Sequence, residues 1–179
     1  MPKSFQISNL KAGLKGDTKT SPTTFNIFSE LLGFEFDIIP AKGEEVVTSD
    51  VPNQVVMELS AQKAKEVAAN VPMNTLVIGA DTVVALGNKI LGKPADRAEA
   101  VEMLTLLSGR KHTVITGVTI RTATHTHSFS VESSVYFRAL TSEEMDYYID
   151  TYKPFDKAGA YGIQEWIGYV AIEGIEGSF

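Results

Sequence analysis

The chain predicts a mixed α/β fold in which strands and helices alternate and a largely mixed sheet is fed by both hairpins and crossovers. Three observations carry that prediction. The apolar run Thr75-Leu76-Val77-Ile78-Gly79-Ala80 reads as a buried strand and leads straight into Asp81-Thr82. The β-branched stretch Thr113–Arg121 is followed by Phe129–Phe137, whose odd positions are mostly apolar and even ones mostly polar, the pattern of two half-buried strands in a hairpin. Between these lie helical stripes with recognisable starts and stops.

The elements follow in order. Residues 9–24 are rich in Gly, Lys, Thr and Ser and read as loop. Phe25–Leu32 reads as a helix stopped by Gly33, and Phe34-Glu35-Phe36-Asp37-Ile38 alternates as a strand. Pro52–Asn70 reads as a helix with Val55, Val56, Leu59 and Val67 on one stripe. Lys63 falls within that stripe: either its stem packs while the ammonium reaches water, or it faces a ligand. After the Asp81 strand, Gly87-Asn88 reads as the two-residue turn of a hairpin between Val83–Leu86 and Lys89–Leu91. Asp96 with Glu99, and Thr141 with Glu144, are capping-box patterns ahead of two further helices. Ser108-Gly109 ends the first of these and Pro154 closes the second. Ile167–Ile172 is strand-like.

Composition narrows the function. The chain has 179 residues, 44% hydrophobic, with a formal net charge of −6 and no cysteine. It is long enough to bury a core. The acidic balance argues against gripping a nucleic-acid polymer through a broad basic face, though a local cation cluster would suffice for one nucleotide. Disulfides, zinc–thiolate sites and cysteine nucleophiles are excluded. No apolar stretch approaches the about 18 residues of a membrane span, and Met1–Gln6 lacks a signal-peptide core. A soluble, cytoplasmic protein without membrane partners is the expectation.

Several side chains are candidates for chemistry. Asp81 is an acid at the end of a central strand, where sheet proteins place their sites. Lys93, in Leu91-Gly92-Lys93-Pro94, offers a cation on a nearby loop. Glu44-Glu45 reads either as a solvated pair or, with Asp81, as a source of a second carboxylate for a hard divalent ion. Asp156–Gln164 places small residues before Gln164, whose amide can read a base edge; the same segment is also an ordinary turn. His125 and His127 share one strand face but have no third ligand nearby, so they read as surface residues, and His112 reads as a satisfied polar residue at a strand start. Gly13–Thr20 fails the phosphate-loop pattern, because no Gly directly precedes Lys15 or Lys19 in the required frame.

The ordered set Ala61-Gln62-Lys63-Ala64, Gly79-Ala80-Asp81-Thr82-Val83-Val84, Ile90–Pro94, Leu107–Val118 and Asp156–Gln164 resembles the Maf family of septum-formation-type nucleoside triphosphate pyrophosphatases, from about residue 25 onward. The resemblance implies a single domain over 1–179, with an elongated mixed sheet flanked by helices and two lobes around a central cleft, similar to inosine triphosphate pyrophosphatase. It implies hydrolysis of a nucleoside triphosphate to the monophosphate and pyrophosphate with a divalent cation, Mg²⁺ or Mn²⁺. Asp81 matches the proton acceptor and a metal-side acid. Lys63 and Lys93 match phosphate-facing lysines. Glu44 matches the other metal-side acid, or Glu45 does after a shift of one residue. Thr82 and Gln164 match positions tied to substrate choice, and glutamine at 164 resembles the dTTP/UTP branch. The hairpin 112–137 offers a surface for a homodimer.

The chain departs from the family at two places. Ser21-Pro22 is followed by Thr23-Thr24 where the family has Arg-Arg, so Thr23 stands at a substrate-binding position without its guanidinium. Gly177-Ser178-Phe179 stands where the family continues into an apolar strand and a final helix. Losing a charged donor to phosphate typically weakens binding by ~1.5–3 kcal/mol. The alternative reading is therefore a catalytically impaired nucleotide-binding or regulatory protein linked to cell division.

Overall fold

The computed structural model describes residues 10–14 and 36–177. Its element order is β1 (Leu10–Leu14), β2 (Phe36–Pro40), α1 (Pro52–Ala68), β3 (Leu76–Leu86), β4 (Lys89–Leu91), α2 (Arg97–Leu107), β5 (Lys111–Arg121), β6 (Thr126–Phe137), α3 (Ser142–Tyr152), two short 3₁₀ turns, α4 (Trp166–Ala171) and β7 (Ile172–Gly177). The strands hydrogen-bond in the order β2-β1-β3-β5-β6-β7, with β4 paired to β3 off that path. The fold is mixed α/β, as the alternation of patterns predicts. The chain divides into two compact units: Met1–Asp50 with Gln54–Asp81 and Gly117–Ser130, and Val51–Asn53 with Thr82–Thr116 and Val131–Phe179.

In the first unit, β1 runs parallel to both β2 and β3, with Leu10 opposite Phe36 on one side and Leu76 on the other. This corrects the loop expected over 9–24, insofar as residues 10–14 are described. Lys11-Ala12-Gly13 has little intrinsic strand preference, but two neighbours complete its ladder, and sheet context overrides propensity. The helix expected over 25–32 lies outside the described residues, as do Ser21–Thr24. The strand expected over 34–38 is seen from Phe36 and extends to Pro40.

Helix α1 begins with Pro52 in its first turn, where a missing N–H costs nothing. Its buried residues are Val55, Val56, Leu59, Ser60, Lys63, Ala64 and Val67, the stripe expected from the sequence. Two glycines let this helix lie hard against the sheet. A Cβ on Gly79 of β3 would sit 2.3 Å from the Ser60 carbonyl oxygen, and one on Gly117 of β5 would sit 2.3 Å from that of Val56. The buried hydroxyls at this contact satisfy one another: Ser60 Oγ lies 2.8 Å from Thr119 Oγ1, which lies 2.7 Å from Ser128 Oγ. A small apolar cluster of Ala64, Val67 and Val77 completes the packing.

Strand β3 departs from expectation twice. It runs unbroken through Asp81, so the acid sits in mid-strand rather than at a strand end. The β-branched Thr82-Val83-Val84 carries the ladder onward. Between Leu76 and Ala80 only Val77 and Gly79 are buried, an alternation in place of burial on both faces.

The second unit holds a large core, in which Leu104, Leu107, Tyr148 and Ile149 are fully buried. The Gly87-Asn88 turn closes the β3–β4 hairpin with Leu86 opposite Lys89, and Gly87 takes the positive φ of +59° that such a turn requires. Asp96 caps α2 by accepting from Glu99 N at 2.9 Å, and Thr141 and Glu144 form a reciprocal capping box on α3. Arg97 ties these helices together through Asp146 at 2.6 Å and Asp150 at 3.0 Å. The strand expected over Ile167–Ile172 is instead helix α4 followed by β7. Trp166, Ile167, Tyr169 and Val170 favour strands locally, but Ile167 and Ala171, four apart, are the pair that the core buries. On β6 the expected half-burial holds only at Val135 and Phe137, while Phe129 and Val131 are exposed.

Candidate active site

The first unit gathers three charged side chains. Lys63 projects from the buried face of α1, and its residue is only 5% exposed. Gly79, two residues before Asp81, lets the helix approach β3, and Lys63 Nζ donates to Asp81 Oδ1. The same ammonium lies 3.5 Å from Glu45 Oε1. A buried ammonium is stable only when paired, and here two carboxylates pair it. Lys63 lies on the buried stripe, and its ammonium meets carboxylates. Of the adjacent acids, both exposed, Glu45 is the one paired with this lysine.

Among the described residues, no three His, Cys, Asp or Glu side chains converge as a metal cage. A hard ion such as Mg²⁺ typically takes one or two carboxylates and fills its other positions with water and phosphate oxygens. The donor set of Asp81 and Glu45 fits such an ion with phosphate as co-ligand.

The second unit carries the other candidates. Thr82 is exposed on β3, and its Oγ1 lies 2.9 Å from Thr116 Oγ1 on β5. Lys93 is exposed on the loop after β4, while the flanking Leu91 and Pro94 are buried and anchor it. The backbone bond from Gly159 N to Gly92 O, 2.9 Å, joins this loop to the Asp156–Gln164 segment. Gly159 takes φ +67°, and a Cβ there would press on Val84 at 3.0 Å, so the small residues of that segment serve close packing. Gln164 is exposed and lines a surface cavity of about 260 Å³ with Ile163, Gly168, Tyr169, Ile172 and Ile175.

That segment is held from beneath. Fully buried Tyr148 donates to Glu165 Oε2 and accepts from Gly162 N at 3.0 Å. Burial, and then the Glu165 carboxylate, hold the Tyr148 phenol well above its usual range, so it remains a donor. Lys157 pairs with Asp156 at 2.9 Å and Glu165 at 3.1 Å. None of Tyr148, Glu165 or Thr116 is marked by a sequence pattern; each acts through partners distant along the chain. Thr23 lies outside the described residues. His125 and His127 are exposed at the β5–β6 turn, and buried His112 shares a 2.7 Å hydrogen bond with the Tyr161 hydroxyl, which makes it a core residue.

A family model described as Maf-like protein matches residues 20–179. The dTTP/UTP pyrophosphatase of Porphyromonas gingivalis is 47% identical over 162 residues, covering 89% of this chain and 81% of the relative. That of Parabacteroides distasonis is 42% identical over 174 residues, covering 97% of this chain and 90% of the relative. That of Bacillus anthracis is 44% identical over 151 residues, covering 84% and 78%. Among solved structures, a HAM1 protein from Coxiella burnetii is 15% identical with a TM-score of 0.47, covering 72% of this chain and 73% of that one.

Proposed function

The chain belongs to the Maf family, and from that premise we propose that it is a pyrophosphatase that hydrolyses dTTP and UTP to the nucleoside monophosphate and pyrophosphate. The observation that carries this reading is the cluster in which Lys63 joins Asp81 and Glu45, within a chain 47% identical to a dTTP/UTP pyrophosphatase. A cation, two carboxylates and a hard-ion donor set are what phosphoanhydride hydrolysis uses.

In the reaction, water oxygen bonds to the α-phosphorus and the bond from that phosphorus to the α–β bridging oxygen breaks. The proton of the attacking water passes to the Asp81 carboxylate. The Lys63 ammonium holds the Asp81 carboxylate in place, and it offers charge to the phosphate oxygens. Lys93 is a second lysine for the phosphate oxygens, on a loop anchored by buried Leu91 and Pro94. Asp81 and Glu45 would hold a divalent ion, Mg²⁺ or Mn²⁺, which when bound screens the triphosphate and polarises its oxygens. Thr82, fixed by Thr116, and Gln164, on its cavity rim, select the base; a glutamine amide suits the paired donor and acceptor of uracil or thymine.

The test is pyrophosphate release from dTTP, UTP, CTP and 7-methyl-GTP, with Asp81→Asn alongside. Loss of a general base typically lowers the rate 10²–10⁴-fold, and that is expected here with dTTP and UTP preferred. Equal turnover by both proteins would sink the assignment of Asp81. Calorimetric nucleotide binding without turnover by the unaltered chain would favour a regulatory protein, the reading that Thr23-Thr24 supports.

A further inference from the structure

The segment Lys42–Thr48 has no regular secondary structure, yet its backbone is held along its length by helix α1. Glu66 accepts from Lys42 N at 2.7 Å and from Gly43 N at 3.0 Å. Gln62 Oε1 accepts from Val46 N at 3.0 Å, while its Nε2 donates to Val46 O. Glu58 accepts from Thr48 N at 2.8 Å and Thr48 Oγ1 at 2.6 Å. Side chains four apart stack on one helix face about 6 Å from one another. An extended chain advances about 6.6 Å in two residues, so the step from Val46 to Thr48 matches the step from Gln62 to Glu58. The segment therefore runs antiparallel to the helix on a rail of three side chains. A Cβ on Gly43 would lie 2.8 Å from Glu66 Oε2, so the glycine leaves room for that carboxylate.

Glu45 hangs between the anchors at Gly43 and Val46, and it is the acid that reaches Lys63, the residue after Gln62. We propose that Gln62 is a positioning residue for the reaction. Its amide clamps both backbone groups of Val46 and so aims Glu45, rather than Glu44, at Lys63. Glu58 and Glu66 secure the ends. This inference rests on the proposed role of Glu45 in holding a divalent ion.

A double-mutant cycle on the full chain separates the two ideas. Glu45→Gln, Gln62→Leu and the double variant are titrated with Mn²⁺ beside a non-hydrolysable α,β-imido analogue of dUTP, reading free Mn²⁺ by electron paramagnetic resonance. The Mg²⁺ dependence of pyrophosphate release is measured in parallel. Gln62→Leu is expected to weaken Mn²⁺ binding about five- to tenfold, the worth of an ordinary hydrogen bond or two, and to raise the half-saturating Mg²⁺ in the same ratio. At saturating Mg²⁺ its kcat and its KM for nucleotide should stay within about twofold. In the Glu45→Gln background, Gln62→Leu should change Mn²⁺ binding by less than about twofold. If Glu45→Gln itself leaves Mn²⁺ binding unchanged, the role of Glu45 fails and this inference falls with it. If Glu45→Gln weakens binding but Gln62→Leu has no effect, or has the same effect in both backgrounds, only the positioning role is overturned. Should Gln62→Leu fail to fold, Gly43→Ala, which pushes the segment off Glu66, enters the same cycle with the same expectations.

Discussion

The two segments that carry candidate site residues are pinned to their helices by opposite means. Lys42–Thr48, bearing Glu45, has its backbone tied to α1 by exposed hydrogen bonds. Asp156–Glu165, bearing Gln164, is pinned to α3 through a phenol that is fully buried. An exposed hydrogen bond exchanges with water and typically contributes ~0.5–1.5 kcal/mol. Where one partner is buried, as the Tyr148 phenol is, breaking the bond leaves a polar group that water cannot reach, which adds a desolvation penalty of ~1–3 kcal/mol. The difference suits the tasks proposed for them. A carboxylate that meets an incoming ion benefits from a segment that opens at low free energy, whereas a residue that reads a base benefits from one that does not move.

Four measurements would break or sharpen that contrast. The largest effect is expected from Gly79→Ala, which aims a methyl group at backbone atoms of α1 that no side-chain rotation can move. Overpacking of that kind typically destabilises by ~1–3 kcal/mol or more, and here it also parts Lys63 from Asp81. A lowered melting temperature together with lost turnover is the expected result. A variant as stable and active as the parent would mean that the close approach does not set the site.

Acid should act next, and on the second unit. Burial pushes the His112 imidazole down to about 4 from its ordinary 6.5. Between those values the unfolded chain binds a proton that the folded one does not. Stability is therefore full above about pH 6.5 and falls by up to ~3 kcal/mol as pH drops through about 4. The histidines of the first unit, His125 and His127, are exposed. Hydrogen exchange at pH 4.5 should accordingly show protection lost around β5 residues 111–116 before it is lost along α1. Replacing His112 with Phe should flatten the acid limb of the stability curve.

Third, Tyr148→Phe removes the hydroxyl that joins α3 to both Gly162 N and Glu165. A loss of ~1–3 kcal/mol is expected in denaturant titrations. The preference among dTTP, UTP and CTP should shift, with the Mg²⁺ dependence unchanged. A shifted Mg²⁺ dependence instead would tie the two segments together and erase the contrast. Smallest is Thr48→Val, which keeps the backbone bond to Glu58 and removes the hydroxyl bond. Because that bond is exposed, less than ~1 kcal/mol should be lost, with faster amide exchange confined to residues 42–48.

Much of this organisation is legible in the chain because it is encoded among neighbours. Thr141 and Glu144 are three residues apart and cap one another, so the pattern alone announces the start of α3. Gly87-Asn88 supplies its own turn chemistry, and the buried stripe of α1, Lys63 included, follows from its spacing. Even the rail was open to reading, since Glu58, Gln62 and Glu66 recur at intervals of four, although that spacing ordinarily marks a solvated helix face. The ordered motifs carried the family, which the match over residues 20–179 bears out.

What the chain determined by itself is thus its local punctuation, its family and the list of candidate side chains. Only the tertiary structure decided that weak Lys11-Ala12-Gly13 is a strand, because its two ladders come from β2 and β3. It alone turned Trp166–Ala171 into a helix and kept β3 running through Asp81. It also brought Glu45 to Lys63. That pairing depends on where a segment 18 residues from Lys63 lies on α1, and the bonds that fix it join backbone to side chains far along the chain. Sequence neighbours settle conformations whose partners lie within a turn or two; pairings across longer separations are settled by the packing that closes the loop between them.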